Sequence, residues 1–308
     1  MTKFLSMLTL LSVFTITASV AGEKSYQATS LLGEKLYSIL PDPDDKDNKL
    51  VQDLNAAKAK YDADPMNADN IIWYGRRTAY TGNFRKAITI FSEGIEKHPE
   101  DARFYRHRGH RYITIREFDH AIADFEKAVR LMEGTENFME PDGAPNKYNI
   151  PVSSHKGNIW YHLGLAYYLK QDWENALRAY RNGYNTGNNA DNLVSTSHWK
   201  YMILRRMGKE KEALAELAPI RADMKILEND YYHRLCLFYK GEILEAEMFA
   251  DKKDSIQNSG ASYGQANWYL YNGKKKKAVK MMEDFVSTSK IWGAFGYIAA
   301  EADLASFK

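Results

Sequence analysis

Small and large apolar residues recur along this chain at a fixed interval. Gly75, Ala87, Phe91 and Gly94 return, in the same order and at the same separations, as Gly109, Ala121, Phe125 and Ala128. The same internal spacing reappears as Gly164, Ala176, Tyr180 and Gly183, joined by Trp160 and Tyr167. Turn signals punctuate the pattern at Gly82-Asn83, Gln171-Asp172, Gly208-Lys209 and Gly273-Lys274. The interval from Gly75 to Gly109 matches two antiparallel helices of about three turns each with two tight turns, which consume about 34 residues. The small residues let paired helices approach closely, and Phe91, Phe125 and Tyr180 fill the space between pairs. Weaker echoes follow at Ala213 with Leu217, at Ala246, and at Ala278 with Met282. The pattern predicts five to six helical units over residues 68–290, the first three strong and the others degenerate. The unit from Tyr231 to Phe249 has a short second helix.

At Trp160-Tyr161-His162-Leu163-Gly164-Leu165-Ala166-Tyr167, with Ala176 and Tyr180 beyond it, the chain resembles the tetratricopeptide repeat family. That family places an aromatic, Leu-Gly, Tyr, Ala, Phe, Ala and Pro at set positions, and Pro65 and Pro99 stand where it ends a repeat. The resemblance implies an all-α, right-handed helical-repeat solenoid of antiparallel helix pairs with capping helices at both ends. On this reading residues 22–67 hold the N-terminal capping helices, including a lone helix over 48–64. Residues 68–134 form units one and two, 157–290 units three to six, and 291–308 a closing helix. The family binds proteins or peptides through its concave face, so the resemblance implies a protein partner, no cofactor and no enzymatic activity.

Between the second and third units the spacing lengthens: Gly109 is followed by its counterpart only at Gly164, well beyond one repeat. The insertion, residues 135–156, carries Pro141, Pro145 and Pro151, which forbid a regular helix. Phe138, Met139, Tyr148, Ile150 and Val152 are apolar enough to anchor it. Two readings stay open. One is a flap over the groove, with Phe138, Pro141, Asp142, Pro145 and Tyr148 as its working residues; the other is a loop that only covers its neighbours.

First helices line the concave face in this family. Helical spacing then presents Ile72, Arg76 and Tyr80 in the first unit, and Arg103, Arg106 and His110 in the second. Asn158, Tyr161 and Tyr168 follow, then His198, Met202 and Arg205, then Tyr231 and Phe238. A groove of arginines and tyrosines suits a segment with acidic and apolar side chains, because guanidinium forks read carboxylates at two points. The alternative is a solvated charged face with tyrosines that merely pack. The family's carboxylate-gripping Lys/Asn/Arg set is not matched: the corresponding places hold Ile72, Arg76, His107, Asn158 and His162.

Composition narrows the classes further. A chain that is 44% hydrophobic and 27% charged has enough apolar residues to fold. With 42 basic against 40 acidic residues it lacks the bulk charge of a nucleic-acid binder. Cys236 is the only cysteine, which rules out an internal disulfide. The eight histidines lack the spacing of a metalloprotease motif, and neither a nucleophile elbow nor a phosphate-binding loop is present. Lys3, the apolar run Phe4 to Ile16 and the small residues Ser19-Val20-Ala21 read as a signal peptide, residues 1–21, cleaved after Ala21. A membrane anchor is the alternative, but a run this short, ended by Gly22-Glu23-Lys24, spans a bilayer poorly. The sequence thus predicts an exported protein, periplasmic or secreted. It acts either as a groove-binding interaction module or as a structural subunit of an envelope or export complex.

Overall fold

A computed structural model describes residues 23–187, 189–249 and 255–308. The expected signal peptide lies outside the described residues. After a β-hairpin, β1 (Lys24–Thr29) and β2 (Lys35–Ile39), the chain is helical. A lone helix α1 (Lys49–Ala63) precedes four hairpins: α2 (Ala68–Tyr80) with α3 (Phe84–Lys97), α4 (Ala102–Thr114) with α5 (Phe118–Leu131), α6 (His155–Leu169) with α7 (Trp173–Thr186), and α8 (Ala190–Arg206) with the short α9 (Glu210–Glu216). The next unit is α10 (Asp230–Lys240), whose second helix is reduced to a 3₁₀ turn at Glu245–Glu247. Helices α11 (Ile256–Tyr271) and α12 (Lys275–Thr288) form the last hairpin before α13 (Phe295–Ser306). No helix among the described residues is long and apolar enough to cross a membrane.

The recurring residues do what their spacing requires. A Cβ on Gly75 would stand 2.4 Å from the Phe91 ring, and one on Gly164 would stand 2.7 Å from the Tyr180 ring. Each glycine therefore receives the aromatic of its own hairpin partner. Polar side chains fix the helix starts: Asn67 and Asp101, at equivalent places in successive units, each accept a backbone N–H of the first turn. The turns inside the units share one left-handed position, held by Gly82, Arg116, Gln171, Gly208, Gly241 and Gly273. Glycine takes that backbone without cost. Arg116 and Gln171 take it with a side chain, and both use that side chain to reach α13.

Residues 22–67 are not the capping helices that the sequence suggests. Only Lys49–Ala63 is helical, and residues 24–39 pair as an antiparallel hairpin with a bulge between Tyr26 and Ala28. The bulge turns both Gln27 and Ala28 inward, which hides the alternation that marks a strand. Gln27 seats the hairpin on α3: its Oε1 accepts from the Arg85 N–H at 3.1 Å, and Arg85 Nε donates to its carbonyl at 2.7 Å.

Helix α13 does more than close the last unit. It packs on α11 and α12, then reaches back across the C-terminal ends of α4, α6 and α8. Arg116 Nη2 donates to Glu301 Oε2 at 2.8 Å, with both side chains buried. Asp303 receives both terminal nitrogens of Arg206 and the Tyr263 hydroxyl. The N-terminal hairpin meets the same helix and the turn before it: Leu31 N–H donates to Glu301 Oε1 at 2.6 Å, and Trp292 Nε1 donates to the Tyr37 carbonyl at 3.0 Å. The two ends of the array are thus tied together.

Candidate functional site

The first helices of the first three units, α2, α4 and α6, present Arg76 and Tyr80, then Arg106, His107, His110 and Arg111, then Asn158 toward one cavity of about 200 Å³. The insertion forms its other wall. Met139 bridges Ser154, and the Glu140 N–H donates to the Ser153 carbonyl at 3.0 Å, so the segment enters as a narrow antiparallel pair. Successive residues of such a pair point opposite ways. Met139 is exposed and Glu140 is buried.

Glu140 lies at the centre of the site. Its Oε2 accepts from Asn158 Nδ2 at 2.5 Å and stands 3.1 Å from Arg106 Nη2. His107 Nε2 lies 3.5 Å from Oε1. Arg106 Nη1 faces His107 Nδ1 at 2.9 Å; since a guanidinium only donates, Nδ1 is the acceptor and the ring proton sits on Nε2, facing the carboxylate. Burial pushes the His107 and His110 imidazoles well below their ordinary range, and nearby guanidiniums add to the effect. His162, in ring contact with His110 at 4.5 Å, is pushed down to about 3 by burial, and His155 to about 4. The imidazoles here are neutral at pH 7. The positive charge of the cavity comes from Arg76, Arg106 and Arg111.

The insertion is tied down along its length. Arg77 Nη1 donates to the Gly143 carbonyl at 3.0 Å, Asn146 Nδ2 to Glu228 Oε1 at 2.6 Å, and Asn189 Nδ2 to the Val152 carbonyl at 2.8 Å. It therefore spans from α2 to the starts of α8 and α10. The fit over α2 is close: a Cβ on Gly143 would come 2.1 Å from the Tyr80 hydroxyl and 2.8 Å from Arg76 Nη2. Of the five apolar residues expected to anchor the segment, only Val152 is buried; Phe138, Met139, Tyr148 and Ile150 are exposed. Anchoring is polar, through Glu140 and backbone carbonyls.

The predicted groove residues divide sharply. Arg76, Tyr80, Arg106 and His110 meet at the cavity, and Pro141 and Asp142 line it from the insertion. Phe138 stacks on His155 at 4.8 Å, outside the cavity, while Pro145 and Tyr148 are exposed. Arg103 turns away to pair with Asp101 and Asp69, both at 2.6 Å, which joins the first two units. The back residues are not a groove surface. The Tyr161 hydroxyl pairs with that of Tyr232 at 2.6 Å and accepts from Trp199 Nε1 at 3.0 Å. Tyr168 is buried against Tyr263, hydroxyl to hydroxyl at 2.5 Å, and His198 is buried between Tyr232 and Tyr239. Arg205 lies over the Tyr271 ring and pairs with Glu210. Their neighbours α10, α11 and α13 occupy the space that the helical spacing alone left open. Glu140, His107 and Arg111 join the site without having been singled out as its binding residues. No group of three or more His, Cys, Asp or Glu side chains among the described residues is placed to hold a metal.

No protein-family model matches the chain, and no curated protein matches it. Among solved structures, it is similar to a tetratricopeptide repeat protein from Parabacteroides merdae, at 14% identity over 82% of this chain and 92% of that one, with a TM-score of 0.48. It is also similar to YrrB, described as a TPR protein with an unusual peptide-binding site, at 16% identity over 78% and 96%, with a TM-score of 0.45. A third is MamA, at 18% over 66% and 96%, with a TM-score of 0.44. At these values nothing about ligand or partner transfers from them. What decides the fold is internal: the regular repeat interval, the glycine-on-aromatic contacts inside each strong hairpin and the shared left-handed turn position. The fold is a tetratricopeptide-repeat solenoid. Its concave face is filled by its own α13 and neighbouring helices at the back, and by its own insertion at the front.

Proposed function

We propose that this solenoid is an exported protein-interaction module. The front of its concave face receives an extended segment of a partner that carries an acidic side chain among apolar ones. The observation that carries this reading is Glu140. An extended stretch of the chain itself lies in the groove and delivers one carboxylate to Arg106 and Asn158, which is the chemistry a bound acidic segment would use. Without the partner, the insertion takes its place. The leader-like residues 1–21 support export, and N-terminal sequencing of protein from the host should then begin at Gly22. The closely packed back half favours a second role beside the first, that of a rigid frame which holds the front groove open.

Asn137 Nδ2 donates to Ser154 Oγ at 3.1 Å, so a short Gly-Ser linker can replace residues 138–153. A fluorescent peptide of residues 136–153 is then titrated into that variant, after circular dichroism has shown it to be helical. Binding in trans is expected, with at least about tenfold loss on Glu140→Gln in the peptide or Arg106→Gln in the protein, since a charge-assisted bond is worth about 1.5–3 kcal/mol. A folded variant that ignores the peptide would overturn the reading.

A further inference from the structure

Among the described residues, two of the three arginines that line the cavity under the insertion have no ion-pair partner, although three carboxylates, Glu140, Asp142 and Glu228, share the lining with them. The three are Arg76, Arg106 and Arg111. Glu140 pairs with Arg106. Among the described residues, no carboxylate forms an ion pair with Arg76 or Arg111; Arg76 reaches only the Tyr80 hydroxyl at 3.4 Å and the Trp73 ring, and Arg111 lies over the Phe84 ring. Two further acids stand on the lining, hydrogen-bonded to neutral amide groups of the insertion and not to a guanidinium. Asp142 accepts from the Ala144 N–H at 2.9 Å, and Glu228 from Asn146 at 2.6 Å. Arg106 Nε and Glu140 Oε1 are buried without a hydrogen-bond partner. The imidazoles of His107 and His110 are neutral, so they add no charge but can donate or accept. Desolvation together with Arg106 and Arg76 pushes Arg111 down to about 10. Half-buried guanidiniums without a paired carboxylate leave donors free to take an added counter-charge.

We infer that this cavity is a binding site for a small free oxyanion, such as inorganic phosphate or a short dicarboxylate, held between Arg76 and Arg111 beside the Glu140–Arg106 pair. Its size suits a molecule of a few heavy atoms. Tyr80, Asn158 and His110 supply neutral hydrogen-bonding groups around the guanidiniums. The insertion covers the site through Pro141, Asp142 and the Pro151–Ser153 stretch, so a small solute fits beneath it where a polypeptide would have to displace it. The site does not depend on the protein-binding reading, since the anion sits under the closed insertion and needs no partner.

The test is calorimetric titration of the purified protein with inorganic phosphate and, separately, with succinate, at constant ionic strength set with sodium chloride. Saturable one-to-one binding of at least one probe is expected. Arg76→Gln and Arg111→Gln should each weaken it at least tenfold, and Arg130→Gln, on an exposed part of α5, should leave it unchanged. Glu140→Gln should strengthen it, because a competing carboxylate is removed. Thermal unfolding of each variant reports folding independently; where Arg111→Gln does not fold, Arg76→Gln carries the test. Absence of saturable binding for both probes, or affinities unmoved by the folded arginine variants, would overturn the inference. Comparing probes separates sources: preference for phosphate points to a tetrahedral oxyanion, and preference for succinate to a carboxylate ligand. The trans-peptide experiment above can fail while this one succeeds, and the reverse.

Discussion

The front and back of the concave face start from the same repeat and end as different materials. At the back, Tyr161, Tyr168 and His198 meet tyrosines from α10 and α11, hydroxyl pairs with hydroxyl, and α13 lies across the helix ends. At the front, the corresponding face of α2 and α4 touches α13 where Phe295 meets His110, but its main cover is not a helix. That cover is a proline-rich loop that contributes one buried carboxylate and leaves a cavity. A groove in a solenoid is what remains where the chain does not pack against itself. Here the back is closed by a helix, which buries apolar area cooperatively, and the front by a loop held through a few polar contacts. Segments of the second kind open at lower free energy than the global fold.

The comparison is broken most severely by detaching the back. Glu301 is fully buried and binds both Arg116 and the Leu31 N–H. Glu301→Ala leaves the Arg116 guanidinium uncompensated, and loss of one partner of a buried pair costs about 3–5 kcal/mol. Urea unfolding should show that loss, and limited proteolysis should cut first near residues 289–294, ahead of α13. If stability falls by less than about 1 kcal/mol, α13 is not what closes the back.

Acid is the next lever. His155, His162 and His198 have folded values of about 4, 3 and 3, depressed by burial below the unfolded value near 6.5. Above pH 6.5 neither state takes up the proton and these groups have no effect on stability. Below it the unfolded chain is protonated and the native chain is not, so stability falls as pH drops from about 6.5 toward 4 to 3. At pH 5 this amounts to about 2 kcal/mol per histidine. Unfolding free energies measured at pH 7, 6 and 5 should decline with a slope that His198→Gln reduces by about one proton. Front histidines can also be relieved by lifting the insertion, so proteolysis within residues 137–153 should rise at pH 5 before global unfolding does.

How much of this can be read from the sequence depends on how local each cause is. The glycine–aromatic contacts are legible because both partners lie in one hairpin, a helix and a turn apart, and the spacing repeats. The left-handed position at Arg116 is also within reach: aligning Gly82 with its counterpart in the next unit lands on it. The β-hairpin is hidden by its bulge. Glu140 is not legible, since nothing near it distinguishes it from Glu133 or Glu136; its burial is decided by Arg106 and Asn158, in other helices. Nor can helical spacing reveal that Tyr168 and His198 face helices rather than solvent, because those helices belong to degenerate units and to α13. Apolar side chains in the insertion suggest anchoring, but Phe138, Met139, Tyr148 and Ile150 are exposed, and the segment is held by Glu140 and by hydrogen bonds to its backbone carbonyls.

Two tyrosines set the smallest and most discriminating contrast. Tyr168, at the back, is buried and its hydroxyl meets Tyr263 at 2.5 Å and Asn267 Nδ2 at 3.0 Å. Tyr168→Phe keeps the ring, removes the hydroxyl and strands the Asn267 donor, so it should cost about 1–2 kcal/mol. Tyr148, on the insertion, is half exposed, and its backbone N–H, which survives substitution, donates to Asn146 Oδ1. Tyr148→Ser should therefore shift global stability by less than about 0.5 kcal/mol, measured by the same urea titration. Equal costs at the two positions would mean that the insertion belongs to the cooperative core. A large cost at Tyr168 with none at Tyr148 would mean that the front cover moves independently of the frame beneath it, as a displaceable segment must.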